Sequence, residues 1–287
     1  MKYSRIIPRL DIKGPNLVKG INLEGLRVLG KPEEFALEYY NQGADELIYH
    51  DAVASLYERD NLLDIVNKTA NNIFIPMTVG GGIRNLNNIK YVLRAGADKV
   101  SINTAAVKNP DFINKAAEMF GSSTIVISIE TYKQSDGKYL VYTENGREII
   151  NKNVMDWTSE AVSRGAGEIL ITSIDKEGTG LGMDLKLIKK IVNSGNIPII
   201  AHGGIGKLEH IEDCLILGKA DAVCLASMLH YGAINIKKTY ENEKEGNFEF
   251  LKNIESNQEF GFETISTIKN FLNKKRILVS NYGNSKK

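Results

Sequence analysis

The sequence has only two cysteines, almost no net charge and no long hydrophobic run, and each shortage excludes a class of protein. The formal net charge of +1 over 287 residues gives no reason to expect nucleic acid or a membrane surface as a partner. A membrane-spanning helix needs about 20 consecutive apolar residues, and no stretch approaches that length. No apolar segment follows Met1, so we expect no signal peptide and a cytoplasmic protein.

The two cysteines, Cys214 and Cys224, fall in a predicted helix and a predicted strand. Without an export signal, such thiols are expected to be buried and reduced rather than joined in a disulfide. His50, His210 and His230 share no metal-ligand spacing with one another or with the cysteines. We therefore expect no metal site and no cofactor.

What the sequence does contain is an internal repeat. Gly43–Ile48 recurs as Gly165–Leu170, and Gly81–Ile83 recurs as Gly203–Ile205, each at the same offset of 122 residues (165 − 43 and 203 − 81). Separate matches in one register are hard to obtain by chance. The chain therefore resembles two copies of one unit in tandem.

Within each copy, short apolar runs alternate with amphipathic segments, a pattern typical of parallel strands covered by helices. Eight such strand–helix pairs close into a barrel. We predict a (β/α)8 TIM barrel of two half-barrels, about 1–122 and 123–275, in one domain spanning 1–287. An open doubly wound sheet is the alternative, but it does not explain the repeat. The predicted strands are 5–11, 46–51, 75–80, 98–102, 124–130, 168–173, 198–202 and 221–225.

Some segments fall outside the repeat. Residues 131–150 predict a hairpin inserted after the fifth strand. Residues 236–262, rich in lysine, glutamate and asparagine, predict an exposed insert or, alternatively, an element that docks a partner. A helix is predicted at 263–274, and a polar tail at 276–287.

Glycine turns follow the third and seventh predicted strands, at Gly80–Gly82 and Gly203–Gly204. Hydroxyl or amide side chains close the fourth strand, and Ala226 and Ser227 close the eighth. Glycine lets backbone N–H groups approach a ligand, and such turns beside a helix start can hold a phosphate. Plain tight turns are the alternative interpretation. Two symmetric copies favour an elongated substrate with a phosphate at each end.

Carboxylates at strand ends are the candidates for acid–base chemistry. Asp11 ends the first strand, and Glu130 stands at the related position of the fifth. Each half would thus bring one carboxylate to the mouth, as a general acid and a general base require. A solvated or helix-capping role is the alternative for each. Other polar candidates around the mouth are Lys19, Asp51, Asp175, Glu177 and His202.

Charged residues also fall near the starts of four strands, at the opposite end of the barrel. Charges inside a barrel are costly unless they are paired. Two cations and two anions would satisfy one another, either as a structural salt-bridge layer or as a gate. We name this set the charged ring: Arg5, Glu46, Lys99 and Glu168.

Together, these motifs resemble the cyclase subunits of imidazole glycerol phosphate synthase. The resemblance runs from Arg5 to about His230 and includes a highly specific set of motifs. They are Arg5–Asp11, Val18–Gly20, Asp45–Leu47, Thr78–Ile83, Ala97–Ala106, Gly165–Leu170 and Thr172–Asp175.

The resemblance implies a lyase that forms a heterodimer with a glutaminase. Ammonia from the partner would pass through the barrel and react with a ribulosyl-formimino bisphosphate, giving imidazole glycerol phosphate and AICAR. Asp11 matches one catalytic residue, and Lys19 a loop lysine near the substrate. The charged ring matches a gate for ammonia, and Asp98 the docking face for the glutaminase. Matches to the substrate and phosphate sites are Gly82, Asn103, Thr104, Asp175, Gly178, Gly204, Ala226 and Ser227.

The sequence also departs from this family. Glu130 stands in place of a second catalytic aspartate, one methylene longer. Arg9 replaces a small residue, usually Cys or Ala, and His202 replaces a serine. Glu177 replaces an aspartate, and the 236–262 insert is foreign to the family. Since the charged ring is intact, the pattern suggests that ammonia transport is kept while the acceptor chemistry differs.

Four functions are compatible with the sequence. The leading one is the histidine-pathway cyclase, with Asp11 as general acid and Glu130 as base. A second is a paralogue that conducts ammonia to an N-sugar amidotransferase making acetamidino sugars of surface polysaccharide. A sibling sugar-phosphate isomerase is disfavoured because it needs no ammonia gate. The fourth is an inactive partner or scaffold.

Overall fold

A computed structural model describes residues 3–53, 60–237 and 261–280. Within them, the strands belong to one sheet. The strands are β1 (Arg5–Lys13), β2 (Asn16–Ile21), β3 (Glu24–Gly30), β4 (Leu47–Asp51), β5 (Met77–Gly80), β6 (Lys99–Ile102), β7 (Ile125–Lys133), β8 (Tyr139–Thr143), β9 (Glu148–Asn153), β10 (Glu168–Ser173), β11 (Ile199–His202) and β12 (Ala222–Leu225).

Eight of these strands form a closed parallel barrel in the order β1, β4, β5, β6, β7, β10, β11 and β12. The ring closes because β12 pairs in parallel with β1, and β10 pairs in parallel with β7. Helices connect the barrel strands, so the fold is the predicted (β/α)8 TIM barrel. The doubly wound alternative is wrong, because an open sheet has two free edges and this one has none between its eight parallel strands.

The helices lie between the barrel strands and present amphipathic faces. In α7 (Leu185–Val192), Leu187, Ile188 and Ile191 are buried at helical spacing, and the Asp184 side chain caps the start by accepting from Leu187 N at 3.0 Å. The others are α1 (Pro32–Asn41), α2 (Asp60–Ala70), α3 (Leu86–Arg94), α4 (Thr104–Lys108), α5 (Asp111–Phe120), α6 (Val154–Ser163), α8 (Leu208–Ile216), α9 (Ser227–Lys237) and α10 (Ile265–Lys274). No helix of the described ranges is long and apolar enough to cross a bilayer.

Alternate side chains of the barrel strands face the interior, and their character changes along the axis. The charged ring lies where the strands begin. An apolar layer follows, and above it, where β1 and β7 end, lie the polar residues of the mouth. The apolar layer comprises Ile7, Ile48, Val126, Leu170, Ile200, Ala222 and Cys224. Cys214 and Cys224 are both buried and free, as predicted.

Each half-barrel carries an antiparallel hairpin after its first strand. The predicted hairpin within 131–150 is present as the end of β7 with β8, and β9 extends it beyond the prediction. The other, β2–β3, was not predicted. It places Lys19 inside a strand, which corrects its assignment to a loop. Asn22 and Leu23 form its turn, with positive φ values of 53° and 65°. Leucine rarely adopts this conformation, so the sequence does not indicate a turn here.

The ends of the chain bear on two further predictions. Residues 238–260, most of the predicted insert 236–262, lie outside the described residues, as do residues 281–287 of the predicted tail. The first part of that tail is packed: Ile277 and Val279 are buried, and Val279 bridges Ser4 beside β1. The predicted helix at 263–274 is present as α10.

The surroundings of Gly81 leave no room for a side chain, and a comparison with Gly137 tests how much this close packing contributes to stability. Its φ is +91°, and a Cβ there would overlap the backbone oxygen of Asp51. Gly137 has a similar φ of +83°, with nothing within 4 Å of a Cβ. Both alanine variants bear the cost of positive φ, about 1–2 kcal/mol, but only Gly81→Ala adds a clash. We expect Gly81→Ala to lower the free energy of unfolding by about 1–3 kcal/mol more than Gly137→Ala in urea titrations. Equal losses would contradict the described packing.

Candidate functional site

A cavity of about 530 Å3 opens at the carboxyl ends of β4 to β7. Its wall combines Glu130 with a corner that we call the first corner, formed by Gly82, Asn103 and Thr104. The remaining polar lining includes His50, Ser101, Ser128, Glu144 and Asn145. The structure thus brings one predicted catalytic carboxylate and one predicted phosphate corner to the same cavity.

The first corner lies at the carboxyl ends of β5 and β6, with Gly82 just after β5 and the other two residues where β6 passes into α4. Gly82 has a φ of +59°, and the Asn103 side chain donates from Nδ2 to the Tyr142 carbonyl at 3.2 Å. The Thr104 hydroxyl accepts from the Glu144 backbone N–H at 3.1 Å. Asn103 Oδ1 is buried without a partner. An amide oxygen can only accept a hydrogen bond, whereas the Thr104 hydroxyl, which accepts from Glu144 N, keeps its own O–H as a donor for an anionic ligand.

The turn between β8 and β9 covers this cavity. Glu144, Asn145 and Gly146 all have positive φ, which curls the turn inward. Gly146 N donates to Glu130 Oε2 at 2.8 Å, and the Asn145 side chain hydrogen-bonds to His50. The turn therefore contacts both Glu130 and the first corner.

Arg9 is the residue whose position the sequence did not anticipate. Its side chain is buried inside the barrel, where Nε donates to Asp11 Oδ1 at 2.8 Å and Nη1 donates to Thr172 Oγ1 at 3.4 Å. Because Thr172 is on β10 and Arg9 is on β1, the guanidinium extends across the barrel interior. It lies between the apolar layer and the mouth.

Arg9 and burial act differently on the two predicted catalytic carboxyls. Burial alone would raise the pKa of Asp11, but the Arg9 charge, helped by His50 and Lys19, holds that pKa well below its usual range. Burial dominates at Glu130 and raises its pKa to about 7, against the opposing charge of Arg9 and the Gly146 N–H. The two carboxyls therefore differ in charge near neutral pH.

The raised pKa of Glu130 predicts a pH-dependent stability. The folded state binds more protons than the unfolded state between the ordinary pKa of about 4.5 and the folded value of about 7, so stability is lost as the pH rises through this window. Glu130→Gln removes the ionisation. We expect it to raise the free energy of unfolding by on the order of 2–3 kcal/mol more at pH 8 than at pH 5. Urea titrations at both pH values measure this, with the exposed Glu118→Gln as control. A pH-independent difference would contradict it.

Two buried histidines, His50 and His202, lie at the mouth. Burial lowers the pKa of His50 and of His202 to about 4, with Arg9 adding to the effect. His202 Nδ1 is 3.0 Å from the Cys224 carbonyl, and its Nε2 is buried without a partner. Both rings are therefore neutral near pH 7. Among the described residues, no group of His, Cys, Asp and Glu could hold a metal ion.

The predicted residues on the other side of the mouth are covered rather than open. We call Gly178, Gly204, Ala226 and Ser227 the second corner. Gly178 packs against the backbone of Gly20 and Ile21 in β2, while Gly204, Ala226 and Ser227 are buried. Asp175, half-buried beside this corner, accepts from the Ser173 hydroxyl at 3.0 Å.

The cover over the second corner is the β2–β3 hairpin. Buried Lys19 forms an ion pair with buried Glu177 and donates to the Gly20 carbonyl at 2.6 Å. Leu23 N donates to Glu177 Oε2 at 3.0 Å. At the hairpin tip, Leu23 also lies against Gly146 of the β8–β9 turn. The hairpin is therefore closed over the mouth.

The charged ring is assembled at the amino end of the barrel. Arg5 donates to Glu46 at 2.6 Å and to Glu168 at 2.5 Å, and Lys99 is 3.3 Å from Glu46 and 3.0 Å from Glu168. Each cation thus bridges both anions. Burial disfavours the charged form of Arg5, but the two glutamates hold its pKa above the ordinary value.

Asp98 lies at this same end. It is exposed, and its Oδ2 accepts from Met77 N at 2.8 Å. A cavity of about 350 Å3 adjoins it, lined in part by Pro76 and by Phe74, which is 78% exposed.

Sequence reasoning missed His50, Asn145 and the contact between Arg9 and Asp11. His50 could have been found, since it is two residues beyond Ile48 on an inward-facing strand position. Asn145 could not have been found in this way, because the contacts of a turn residue with distant parts of the fold produce no periodic pattern in the sequence.

The fold and the cavity together define a TIM-barrel protein with acidic residues and a glycine-lined corner at the carboxyl end of its strands. The chain belongs to the family described as "Histidine biosynthesis protein", whose sequence profile matches residues 5–235. The predicted family resemblance is thereby confirmed.

The similar proteins of known type narrow the family to one kind of subunit. The chain is 57% identical over 212 residues to the imidazole glycerol phosphate synthase subunit HisF of Legionella pneumophila, covering 74% of this chain and 100% of that protein. It is 46% identical over 239 residues to the subunit of the same name from Trichormus variabilis, covering 82% and 93%. Against that from Alkaliphilus metalliredigens it is 45% identical over 238 residues, covering 83% and 94%. The prediction of an enzyme, a cyclase subunit of this type, is confirmed.

Proposed function

We propose that this chain is the cyclase subunit of an imidazole glycerol phosphate synthase that takes ammonia from a separate glutaminase subunit. It would cyclise and cleave a ribulosyl-formimino bisphosphate to imidazole glycerol phosphate and AICAR. The observation that carries the proposal is the combination of a closed charged ring at one end of the barrel with an acidic, glycine-lined cavity at the other.

The mouth suits a substrate with two phosphates. The first corner offers the Asn103 amide and the Thr104 hydroxyl beside Gly82. The second corner offers Ser227 at the amino end of α9, where N–H groups are free of helical partners. Between them lie the carboxyls of Asp11 and Glu130, which would form the acidic centre of the site. Lys19 and Asp175 would contact the substrate once the β2–β3 hairpin opens.

The amino end suits the delivery of ammonia. The charged ring spans the barrel axis, and the exposed Phe74 and Asp98 lie at the same end, where a glutaminase would dock. A partner bound there would release ammonia next to the ring. From the ring, the barrel axis leads to the mouth.

Turnover of the ribulosyl-formimino bisphosphate tests the proposal. The purified full chain is supplied with ammonium salt, and formation of AICAR is followed. A second assay supplies glutamine with a separately purified glutaminase subunit. AICAR formation in both assays is expected. Failure of both would overturn the proposal.

A second candidate function is favoured by one observation: Arg9 and Glu130 both depart from the family at the substrate end, while the charged ring is complete. In this alternative, the chain conducts ammonia to an N-sugar amidotransferase that makes acetamidino sugars. It predicts no turnover by the wild-type chain and recovery of turnover in Glu130→Asp. Turnover by the wild-type chain would exclude it.

The charged ring gives a separate prediction. Lys99→Ala removes one cation from the ring and leaves Glu46 and Glu168 with Arg5 alone. Since added ammonium salt can reach the mouth directly, we expect the glutamine-dependent rate to fall at least about tenfold more than the ammonium-dependent rate. Lys90→Ala, an exposed lysine on α3, is the matched control. Equal effects on both rates would contradict a gate.

A further inference from the structure

We propose that Arg9 is a positioning residue that holds Asp11 in a buried ion pair and so leaves Glu130 as the carboxyl that exchanges protons with the substrate. This inference rests on the proposed cyclase function and deepens it. It assigns different roles to the two carboxyls that the barrel symmetry relates.

The geometry of Arg9 supports the first half of the inference. A guanidinium stays charged in proteins, and this one is 99% buried with its Nε 2.8 Å from Asp11 Oδ1. Its second contact, with Thr172 across the barrel, fixes its direction. Protonating Asp11 would leave the buried guanidinium without its anion, which is costly. Asp11 therefore stays an anion while Arg9 is in place.

The surroundings of Glu130 support the second half. None of the ion pairs among the described residues includes Glu130, and the groups that hydrogen-bond to its carboxyl are neutral: Gly146 N, 2.8 Å from Oε2, and the Asn103 side chain. Unlike Asp11, it lines the open cavity. A buried carboxyl without a bonded cation can be protonated or ionised near neutral pH, as its pKa of about 7 indicates. Glu130 can therefore change charge where a ligand can reach it.

The other groups facing this pair do not compensate for Arg9. The histidines are neutral near pH 7, Lys19 is already paired with Glu177, and the Cys224 thiol is held protonated by burial, which raises its pKa to about 12. The other titratable and charged groups that interact with Asp11, Glu130 or Arg9 are Lys19 on β2, His50 on β4, His202 on β11, Cys224 on β12 and His230 on α9. Glu177, after β10, acts on Lys19 and His202.

Glu130 alone can accept and return the proton that the reaction transfers. Glu130 as carboxylate accepts one proton from the substrate and, as the acid, returns one proton to it later in the same turnover. Asp11 and Arg9 keep their charges throughout. Glu130 therefore ends each turnover as the carboxylate with which it began.

Carboxyl 13C NMR of the full chain tests the assignment without requiring activity. Between about pH 5 and 9, we expect one glutamate signal to titrate near pH 7 and to be absent in Glu130→Gln. The Asp11 signal, identified by its loss in Asp11→Asn, is expected to stay constant. Titration of Asp11 in this range, or no titration that depends on Glu130, would overturn the inference.

The Arg9 variants complete the test. In Arg9→Ala, the Asp11 signal is expected to begin titrating above pH 5, because burial then acts without the cation that is bonded to Asp11. Arg9→Lys keeps the charge and should restore the constant signal. If Arg9→Ala does not fold, titration of Asp11 between pH 5 and 9 in wild type or in Arg9→Lys would still overturn the inference. A constant Asp11 signal in a folded Arg9→Ala chain would refute the role of Arg9.

A pH–rate profile separates this inference from the proposed function. With rates expressed per free ammonia, kcat/KM should fall about tenfold for each pH unit below 7 in wild type. No turnover at any pH, with the NMR titrations as expected, would refute the proposed function and leave the charge assignment standing. Turnover with a flat profile would retain the function and refute the role of Glu130.

Discussion

Replacing Glu130 with glutamine is expected to reduce kcat/KM for the cyclase reaction by about 10²–10⁴-fold, the usual contribution of a group that transfers protons. The change is nearly isosteric, so the Gly146 N–H keeps an oxygen to donate to and the β8–β9 turn stays in place. Only the capacity to ionise is lost. Steady-state rates with ammonium salt measure the effect directly, without the glutaminase.

Two variants serve as controls for this result. Glu118→Gln, on the exposed face of α5, makes the same chemical change and should leave the rate unaltered. Glu130→Asp keeps the charge but shortens the side chain by one methylene, so it should retain more activity than the glutamine variant. A glutamine variant as active as wild type would mean that the proton passes elsewhere.

Truncation of Arg9 to alanine is expected to lower the free energy of unfolding at pH 7 by about 3–5 kcal/mol, the cost of leaving one partner of a buried ion pair without the other. The large side chain it removes also leaves a cavity at the centre of the barrel. Urea unfolding at pH 7 would measure the loss, and the thermal midpoint should fall by several degrees in parallel.

The matched comparison is the double variant Arg9→Ala with Asp11→Ala, which removes both charges. Because no buried carboxylate is then left without a partner, the double variant should be more stable than Arg9→Ala alone. Arg94→Ala, at the exposed end of α3, controls for loss of an arginine as such. A double variant less stable than the single one would indicate that the packing of Arg9, rather than its pairing, dominates.

The barrel could be predicted from the sequence because its signals are local and repeated. Alternating apolar runs set the strands, and the 122-residue offset placed them in two equivalent halves, so that the predicted and observed strand starts differ by at most two residues at each of the eight positions. The β2–β3 hairpin escaped prediction because its turn uses Asn22 and Leu23 rather than a glycine pair, and because β2 carries Lys19 at a buried position.

The site was only partly accessible to the same reasoning. Strand-end positions identified Asp11 and Glu130, since parallel strands bring their carboxyl ends to one edge. The two carboxyls differ in pKa because of Arg9. Its side chain crosses the barrel interior to Thr172, which is 163 positions away in the sequence. No pattern along the chain encodes such a contact. The same holds for the pairing of Lys19 with Glu177.

The meeting of Leu23 and Gly146 has a consequence for how such a barrel arose. The β2–β3 hairpin and the β8–β9 turn, here called the two flaps, belong to different repeats, and among the described residues their tips meet over the mouth. A lone half-barrel would own a single flap and could enclose a ligand only by pairing with a second copy of itself. Fusion of two copies into one chain therefore makes enclosure independent of protein concentration, and it leaves each flap free to diverge from its twin.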